Sequence, residues 1–468
     1  MRQSLTVALL LVAGAMLSPP ALAQNSGEPV LSLGDVVSLA LDRSPNIGEA
    51  KANVQGADAA VDESRAARLP RVGLNLGVDR TTLNSASPIS SRPVLDFSVI
   101  DPSLGVVPVN EAGKDMSGYT RYSAGLDAEW MLFDFGERSG VVESRSADLA
   151  STMAREEVAE GETVVRVVER YFGLLRAQAF LTVREDFLTR KEESLELAER
   201  LKRAGRGTAG DVARARSELA QARLDHIEAE NEVERQKVWL KQAMGVEMTK
   251  AFEIDPDSRL NPPDHWLALS RENRDWARHH PRTVVSLESL KARRAEIESR
   301  KASYLPTVQA RANYRVDKYQ DASSAPNYTV GLQLKWTLFE GGARDARVRQ
   351  AQSERAAANA RRRQVVQKVI ADEREAEQDL RVATERIDMA HEALSAAQED
   401  LRNARAGYNE GVRAFSDLSD AQIGVREAEG RLAAARFDRQ VALAKLYWAL
   451  GRLPSNGIES TMADRRTE

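Results

Sequence analysis

The sequence predicts an α+β chain that uses one plan twice: a helix, two strands, a very long helix and a shorter helix. Three observations lead to this prediction. Charged residues make up 29% of the 468 residues and aromatic residues only 5%, a composition typical of long helices. Two proline-free segments, 137–203 and 343–409, have helical periodicity. Four segments of about ten residues alternate apolar with polar side chains, as strands do.

The two halves match at a fixed separation. Trp130 and Phe133 recur as Trp336 and Phe339, so the offset is 336 − 130 = 206 residues. An ungapped offset over such long segments predicts an internal duplication. Within each long helix, leucine or isoleucine recurs every seven residues, a spacing typical of coiled coils. These seam positions are Leu174, Leu181, Leu188 and Leu195 in the first half, and Leu380, Ile387, Leu394 and Leu401 in the second.

These patterns divide the chain. Residues 1–23 are predicted to be an export signal, because Arg2 precedes an apolar run and Ala21-Leu22-Ala23 suits cleavage. The first repeat is expected at 24–245, with a β-hairpin at 71–133 that contains a long loop at 81–121. Its long helix is expected at 137–203, its tip turn at 205–211 and its last helix at 212–245. A connector at 246–265 leads to the second repeat at 266–451, and 452–468 is a polar tail. The second hairpin, long helix, tip turn and last helix are expected at 307–339, 343–409, 411–417 and 418–451.

The strands favour a membrane sheet shared between copies of the chain. Each strand is apolar on one side and polar on the other, and tryptophan and phenylalanine mark the junctions with the long helices, as in outer-membrane barrels. Four strands are too few to enclose a lumen, whereas three copies give a 12-stranded antiparallel barrel. Trp130, Phe133, Trp336 and Phe339 are then membrane-interface aromatics. The alternative is a periplasmic coiled-coil scaffold whose strands form a cap.

Other classes of function are disfavoured. The chain has no cysteine, which excludes disulfides, thiolate catalysis, cysteine metal sites and an acylated cysteine anchor. A net charge of −4 is too close to neutral to indicate nucleic-acid binding. Residues 205–210 fit GxGxxG but follow a helix, not a strand, so a dinucleotide site is not predicted. We expect no cofactor, no metal and no catalytic residues.

Taken together, the sequence resembles the TolC-like outer membrane efflux protein family. The resemblance rests on the export signal, the duplicated plan, the Leu-Pro steps at 69–70 and 305–306, the Leu-Phe-x-x-Gly steps at 132–136 and 338–342, and the Gly-x5-Asp turns at 205–211 and 411–417. It implies a homotrimer with a barrel in the outer membrane and a helical tunnel in the periplasm. It also implies a periplasmic adaptor and an inner-membrane pump of ABC or RND type as partners. The expected function is the exit duct of a tripartite system for type I protein secretion or small-molecule efflux.

The resemblance also implies roles at the helical tip. Asp417 and Asp420 match an inner-helix Asp-x-x-Asp that narrows the periplasmic entrance, and residues three apart share a helix face. Tyr408 and Arg413 match latch positions, and Asp211 matches their outer-helix partner. N-capping is the alternative role for both Asp211 and Asp417. A solvated position at the tip is the alternative for the two latch residues.

Three glycines at the turns complete the expected site. Gly205 and Gly411 permit the turns and, by the same resemblance, contact the adaptor. Gly210 stands where a hydroxyl residue is expected. One hydrogen bond to Arg413 is therefore expected to be missing.

Overall fold

The computed structural model describes residues 29–81, 119–249, 251–260, 276–319 and 324–451. The predicted export signal, the polar tail, most of the long loop and part of the connector lie outside these ranges. The first half contains helices α1 (Leu33–Arg43), α2 (Pro45–Ala66), α3 (Glu137–Arg203) and α4 (Ala209–Met244). Its strands are β1 (Val30–Leu31), β2 (Arg71–Thr81) and β3 (Tyr119–Phe133).

The second half repeats the order. It contains strand β4 (Glu253–Ile254), helices α5 (Trp276–His279) and α6 (Pro281–Ala302), strands β5 (Thr307–Tyr319) and β6 (Ala325–Lys335), and helices α7 (Ala343–Glu410) and α8 (Phe415–Ala449). The long helices α3 and α7 have 67 and 68 residues, which makes each about 100 Å long. Among the described helices, none is both long enough and apolar enough to cross a membrane.

One local expectation differs from the structure. Strand β6 ends at Lys335, so Trp336 and Phe339 follow the strand instead of lying in it. The reason is that, among the described strands, β6 pairs with β5 alone, and β5 begins at Thr307 directly after Pro306, which has no backbone N–H to extend the ladder. Ser44 occupies the N-cap position of α2, but its side chain makes no capping hydrogen bond. Pro45 follows it at the first helical position, where its fixed φ suits a helix start.

The four long strands form one antiparallel sheet in the order β2-β3-β5-β6. The register aligns apolar residues across all four strands, as in the row Leu74, Leu126, Tyr314 and Tyr328. This apolar face is open in the single chain, where Val330 is 77% exposed. The opposite face is polar, and there the Asp127 carboxylate accepts hydrogen bonds from the side-chain amides of two neighbouring strands, at Asn75 and Asn313.

The largest apolar core lies where α1 packs against α3 and α4. Val36, Val167, Tyr171 and Leu240 are fully buried there. The Tyr171 Oη lies 2.8 Å from Ser258 Oγ and 3.0 Å from the Asp255 carbonyl oxygen. Burial raises the pKa of Tyr171 to about 12, so the hydroxyl stays protonated. Through this core, residues 251–260 of the connector and the parallel pair β1–β4 pack against the long helix α3.

A second anchor ties the last helix to the first long one. The Trp448 ring of α8 lies directly against Gly161 of α3 and leaves no room for a Cβ there. His280 Nδ1 accepts a hydrogen bond from the Arg282 N–H, which leaves Nε2 as the protonated nitrogen, 3.1 Å from the Trp448 carbonyl oxygen. Burial lowers the pKa of His280, which is consistent with a neutral ring. These contacts join the end of α8 to α3 and to the start of α6.

Candidate functional site: the helical tip

Two turns lie side by side at the end of the long helices. Gly205, after α3, has a φ of 73° and Gly411, after α7, has a φ of 77°, both in the left-handed region that favours glycine. The Arg206 Nη2 group of the first turn donates to the carbonyl oxygens of Asn409, at 3.4 Å, and Glu410, at 3.2 Å. The first turn is thereby tied to the last residues of α7.

Asp211 is engaged in capping α4. The Thr208 Oγ1 atom accepts from the Asp211 N–H at 3.1 Å, and the Asp211 carboxylate accepts from the Thr208 N–H at 3.0 Å. This reciprocal pair is a capping box, which satisfies two backbone donors at the helix start. The contacts of Asp211 therefore agree with N-capping, the alternative to a latch role.

Asp417 and Asp420 have a different environment. Ala414 occupies the N-cap position of α8 and provides no capping side chain. Among the described residues, the Asp417 carboxylate accepts a hydrogen bond from the neighbouring Ser416 hydroxyl alone, at 3.3 Å, and both aspartates are exposed. The capping alternative does not hold for Asp417. Its carboxylate stands in the first turn of α8, where the helix dipole favours negative charge.

The latch positions are close together but are not joined by hydrogen bonds. Tyr408 packs on Phe415, with 5.5 Å between ring centroids, and its Oη has no hydrogen-bond partner among the described residues. Burial, and then the charge of Asp211, raise the pKa of Tyr408. Arg413 pairs with Asp400 of α7, with 3.7 Å between Nη1 and Oδ1. An apolar cluster around Tyr408 and Phe415 therefore joins α3, α4, α7 and α8 here.

A polar contact that the sequence analysis missed lies farther along the same helices. Lys191 of α3 is 2% exposed. Its Nζ donates to the Glu218 carboxylate of α4 and to the Ser419 hydroxyl of α8, each at 2.9 Å. The Ser419 hydroxyl in turn donates to the same Glu218 oxygen at 2.6 Å. We call Lys191, Glu218 and Ser419 the clasp, because this closed triangle joins three helices.

The clasp contains an ion pair that is largely shielded from water. Burial lowers the pKa of Lys191, against the opposing effect of Glu218. Burial acts to raise the pKa of Glu218, but hydrogen bonds from Ser419, Lys191 and Arg214 outweigh it and lower that pKa. Lys191 falls between Leu188 and Leu195 on the seam of α3. A charge at a seam position, where an apolar residue is expected, is the signal that could have revealed it.

The four predicted interface aromatics mark the junction between the sheet and the helices. The Trp130 indole N–H donates to the Arg68 carbonyl oxygen at 2.9 Å, and the Trp336 indole N–H donates to the Tyr304 carbonyl oxygen at 3.1 Å. Both acceptors lie just after a short helix, α2 or α6. Phe133 and Phe339 are exposed beside them. Across the described ranges, no group of three or more His, Asp or Glu side chains is arranged to hold a metal ion.

A sheet with an open apolar face, joined to two helices about 100 Å long, fits an outer-membrane protein that reaches into the periplasm. The pattern of the outer membrane efflux protein family matches residues 36–246 and 284–452. The chain belongs to this family, so the resemblance is confirmed. Family membership places the chain among export channels and does not support the scaffold alternative.

Individual relatives match most of the chain. Protein CyaE of Bordetella pertussis is 26% identical over 436 residues, which cover 91% of this chain and 86% of that protein. The alkaline protease secretion protein AprF of Pseudomonas aeruginosa is 24% identical over 372 residues, which cover 75% of this chain and 74% of that protein. The solved structure of the outer-membrane channel OprN has the same fold, with a TM-score of 0.73 at 23% identity over 90% of each chain.

Proposed function

We propose that three copies of this chain form the exit duct of a tripartite export system, gated at the periplasmic tip. The observation that carries this proposal is the four-stranded sheet. Its apolar face is open in the single chain, and its outer strands β2 and β6 each pair on one side only within the described chain. Three such sheets joined edge to edge make a closed 12-stranded barrel, which satisfies the edge hydrogen bonds and turns the apolar face to lipid. Trp130, Phe133, Trp336 and Phe339 then lie at a membrane interface.

The gate is assigned to Asp417 and Asp420. Both are exposed on one face of α8, and threefold symmetry brings six carboxylates around the axis. Such a ring attracts cations and resists anions. Tyr408 and Arg413 contribute through the apolar cluster and the Asp400 pair rather than through a bond to Asp211, which caps α4.

The exposed turns around Gly205 and Gly411 are the surface proposed to receive a periplasmic adaptor, and an inner-membrane pump of ABC or RND type supplies the energy. The relative AprF is named for the secretion of a protease. That name supports a polypeptide cargo, and hence the ABC pump of a type I system.

The test is single-channel recording of the purified mature protein in a planar bilayer, with Asp417→Ala, Asp420→Ala and the double variant. We expect small, cation-selective currents whose conductance rises and whose cation selectivity falls in the variants, because the carboxylate ring is removed. Asp211→Ala is the matched control, and it should leave selectivity unchanged. If conductance and selectivity are unchanged in both single variants of Asp417 and Asp420 and in the double variant, the proposed gate is contradicted. A folded trimer that forms no channels would contradict the proposed duct.

A further inference from the structure

A groove between α3 and α8 is lined by four arginines. It has a volume of about 400 Å³, with Arg176 and Arg184 on α3 and Arg426 and Arg431 on α8. Its floor is apolar, because Phe180 packs over Gly430, where an added Cβ would meet the ring at 3.1 Å. We call these four arginines with the Phe180 floor the arginine groove.

The positive charge of the groove is only partly neutralised. Arg184 and Arg426 share one carboxylate, that of Asp225, at 3.1 and 3.5 Å. Arg431 pairs with Glu427 at 3.7 Å and Arg176 with Asp438 at 3.3 Å. Four guanidinium groups therefore face three carboxylates, and each guanidinium has five N–H donors of which these pairs use few. Burial, and then repulsion from Arg184, lower the pKa of Arg426, which agrees with incomplete neutralisation.

The groove opens on the face of α8 that carries the proposed gate. Arg431 lies two heptads after Asp417, and Glu427 lies one heptad after Asp420. Residues seven apart return to nearly the same helix face, and all four of these side chains are exposed. Eleven residues separate Asp420 from Arg431, so the groove lies about 16 Å farther along the helix. If Asp417 and Asp420 face the duct axis, as the proposed function requires, the groove lies in the duct wall.

The shape of the groove fits a chain of several carboxylates better than a single small anion. Arg176 and Arg184 are eight residues apart, which is about 12 Å along α3. An extended peptide of about four residues covers that length. Guanidinium groups bind carboxylates through paired, planar hydrogen bonds, and the Arg176 guanidinium lies over the Phe180 ring, 5.6 Å from its centroid, at the floor of the groove.

We infer that the arginine groove binds acidic segments of an exported polypeptide as they pass the gate. This inference rests on the proposed function and narrows it to a cargo with clusters of Asp and Glu. The acidic ring resists such segments, and the groove beyond it offsets that resistance by attracting them. Three copies provide three such grooves around the duct.

The first experiment measures binding without requiring conduction. A fluorescently labelled octaglutamate peptide is titrated with the purified full-length protein in detergent at low salt, and anisotropy gives the Kd. We expect Arg176→Gln with Arg431→Gln to weaken binding tenfold or more, since these are the most exposed of the four arginines. Arg436→Gln is the control, because it removes the same charge from an exposed site on α8 outside the groove. Equal weakening by both, or no binding of octaglutamate to the wild type, overturns the inference.

The second experiment places the site in the duct. Octaglutamate added on the tip side of a planar bilayer should block current through the wild-type channel, and octaglutamine should not. The double arginine variant should reduce the block tenfold at equal peptide concentration. A channel that still responds to Asp417→Ala but shows no arginine-dependent block overturns the groove and leaves the proposed function standing. Arginine-dependent binding by a protein that forms no channel contradicts the proposed function instead, and with it the role in export.

Discussion

The two tip turns occupy equivalent places in the repeat, yet their aspartates have different contacts. Asp211 and Asp417 are 206 residues apart, and each stands third in its helix. In the first turn Thr208 precedes the helix, and Asp211 closes a capping box with it. In the second turn the equivalent residue is Ala414, whose side chain offers no acceptor. The Asp417 N–H donates instead to the Ala414 carbonyl oxygen at 3.2 Å, and the Asp417 side chain is exposed.

The difference shows how a duplicated segment can acquire two roles. A capping box forms where the N-cap residue is threonine, at the start of α4, and no side chain caps α8, whose N-cap residue is alanine. The clasp adds a second asymmetry: Lys191, Glu218 and Ser419 have Ala397, Gly424 and Ala213 as their counterparts. The helix with the exposed aspartates, α8, joins this buried ion pair through the Ser419 hydroxyl in its second turn.

The largest expected effect comes from breaking the clasp. Glu218→Ala leaves the Lys191 cation buried without its carboxylate, and such a loss costs about 3–5 kcal/mol. We expect hydrogen exchange, followed by mass spectrometry, to accelerate most in the first turns of α8 and in the facing part of α3. The first turns of α7 should be unaffected.

Two controls separate the buried charge from a general effect of substitution. Glu228→Ala removes an exposed carboxylate of α4 and should change exchange very little. Lys191→Met combined with Glu218→Leu removes both charges and should cost far less than Glu218→Ala, because an apolar pair of similar volume replaces a buried ion pair at little cost. A double variant as unstable as the single one would contradict this account of the clasp.

The stability that the clasp contributes also depends on pH. The pKa of Glu218 is lowered in the folded protein. The folding stability that Glu218 contributes is therefore fully present above the ordinary carboxyl pKa near 4.5. It is lost as the pH falls below that value through the lowered pKa. Protection of the α8 amides should therefore fall in mildly to strongly acidic solution. Glu218→Gln should show a shallower fall, and an identical acid profile in both proteins would exclude Glu218 as its source.

The two turn glycines should be equivalent, in contrast to the aspartates. Gly205 and Gly411 have nearly equal positive φ values, and an added Cβ meets no atom within 4 Å at either. Only backbone strain remains, so alanine at either position should cost about 1 kcal/mol. Gly48→Ala, at an open site within α2, should instead stabilise by about 0.5–1 kcal/mol. Thermal unfolding of the three variants checks this order, and a large gap between the two turn variants would show that the turns are not equivalent.

Effects of similar size come from exchanging the caps. Thr208→Ala should cost about 1 kcal/mol at the start of α4. Ala414→Thr should stabilise α8 by a comparable amount, because the new hydroxyl can accept from the Asp417 N–H, as the Thr208 Oγ1 atom accepts from the Asp211 N–H. If the new box draws the Asp417 carboxylate back to the backbone, cation selectivity in a planar bilayer should decrease. Ala414→Val, similar in size to threonine but without a hydroxyl, should leave selectivity unchanged.

Several parts of the fold follow from local sequence alone. The absence of proline and the helical periodicity dictate long helices at 137–203 and 343–409, and glycine at 205 and 411 permits the turns that end them. The alternation of apolar and polar residues dictates two-sided strands, because successive side chains point to opposite faces. The box formed by Thr208 and Asp211 is equally local, although the sequence analysis left capping and latching open for Asp211. The exact end of β6 was not accessible in this way, since it depends on where the partner strand begins.

The sequence by itself therefore determined the helices, the amphipathic strands, the repeat offset and the family, because each rests on periodicities of two, 3.6 or seven residues or on motifs read along the chain. The tertiary structure decided which distant groups meet. Lys191 is separated from Glu218 by 27 residues and from Ser419 by 228. Likewise, the arginines of the groove come from α3 in the first repeat and α8 in the second. No local rule pairs such residues, since their contact exists only once α3 packs against α4 and α8, and burial then gives those contacts their strength.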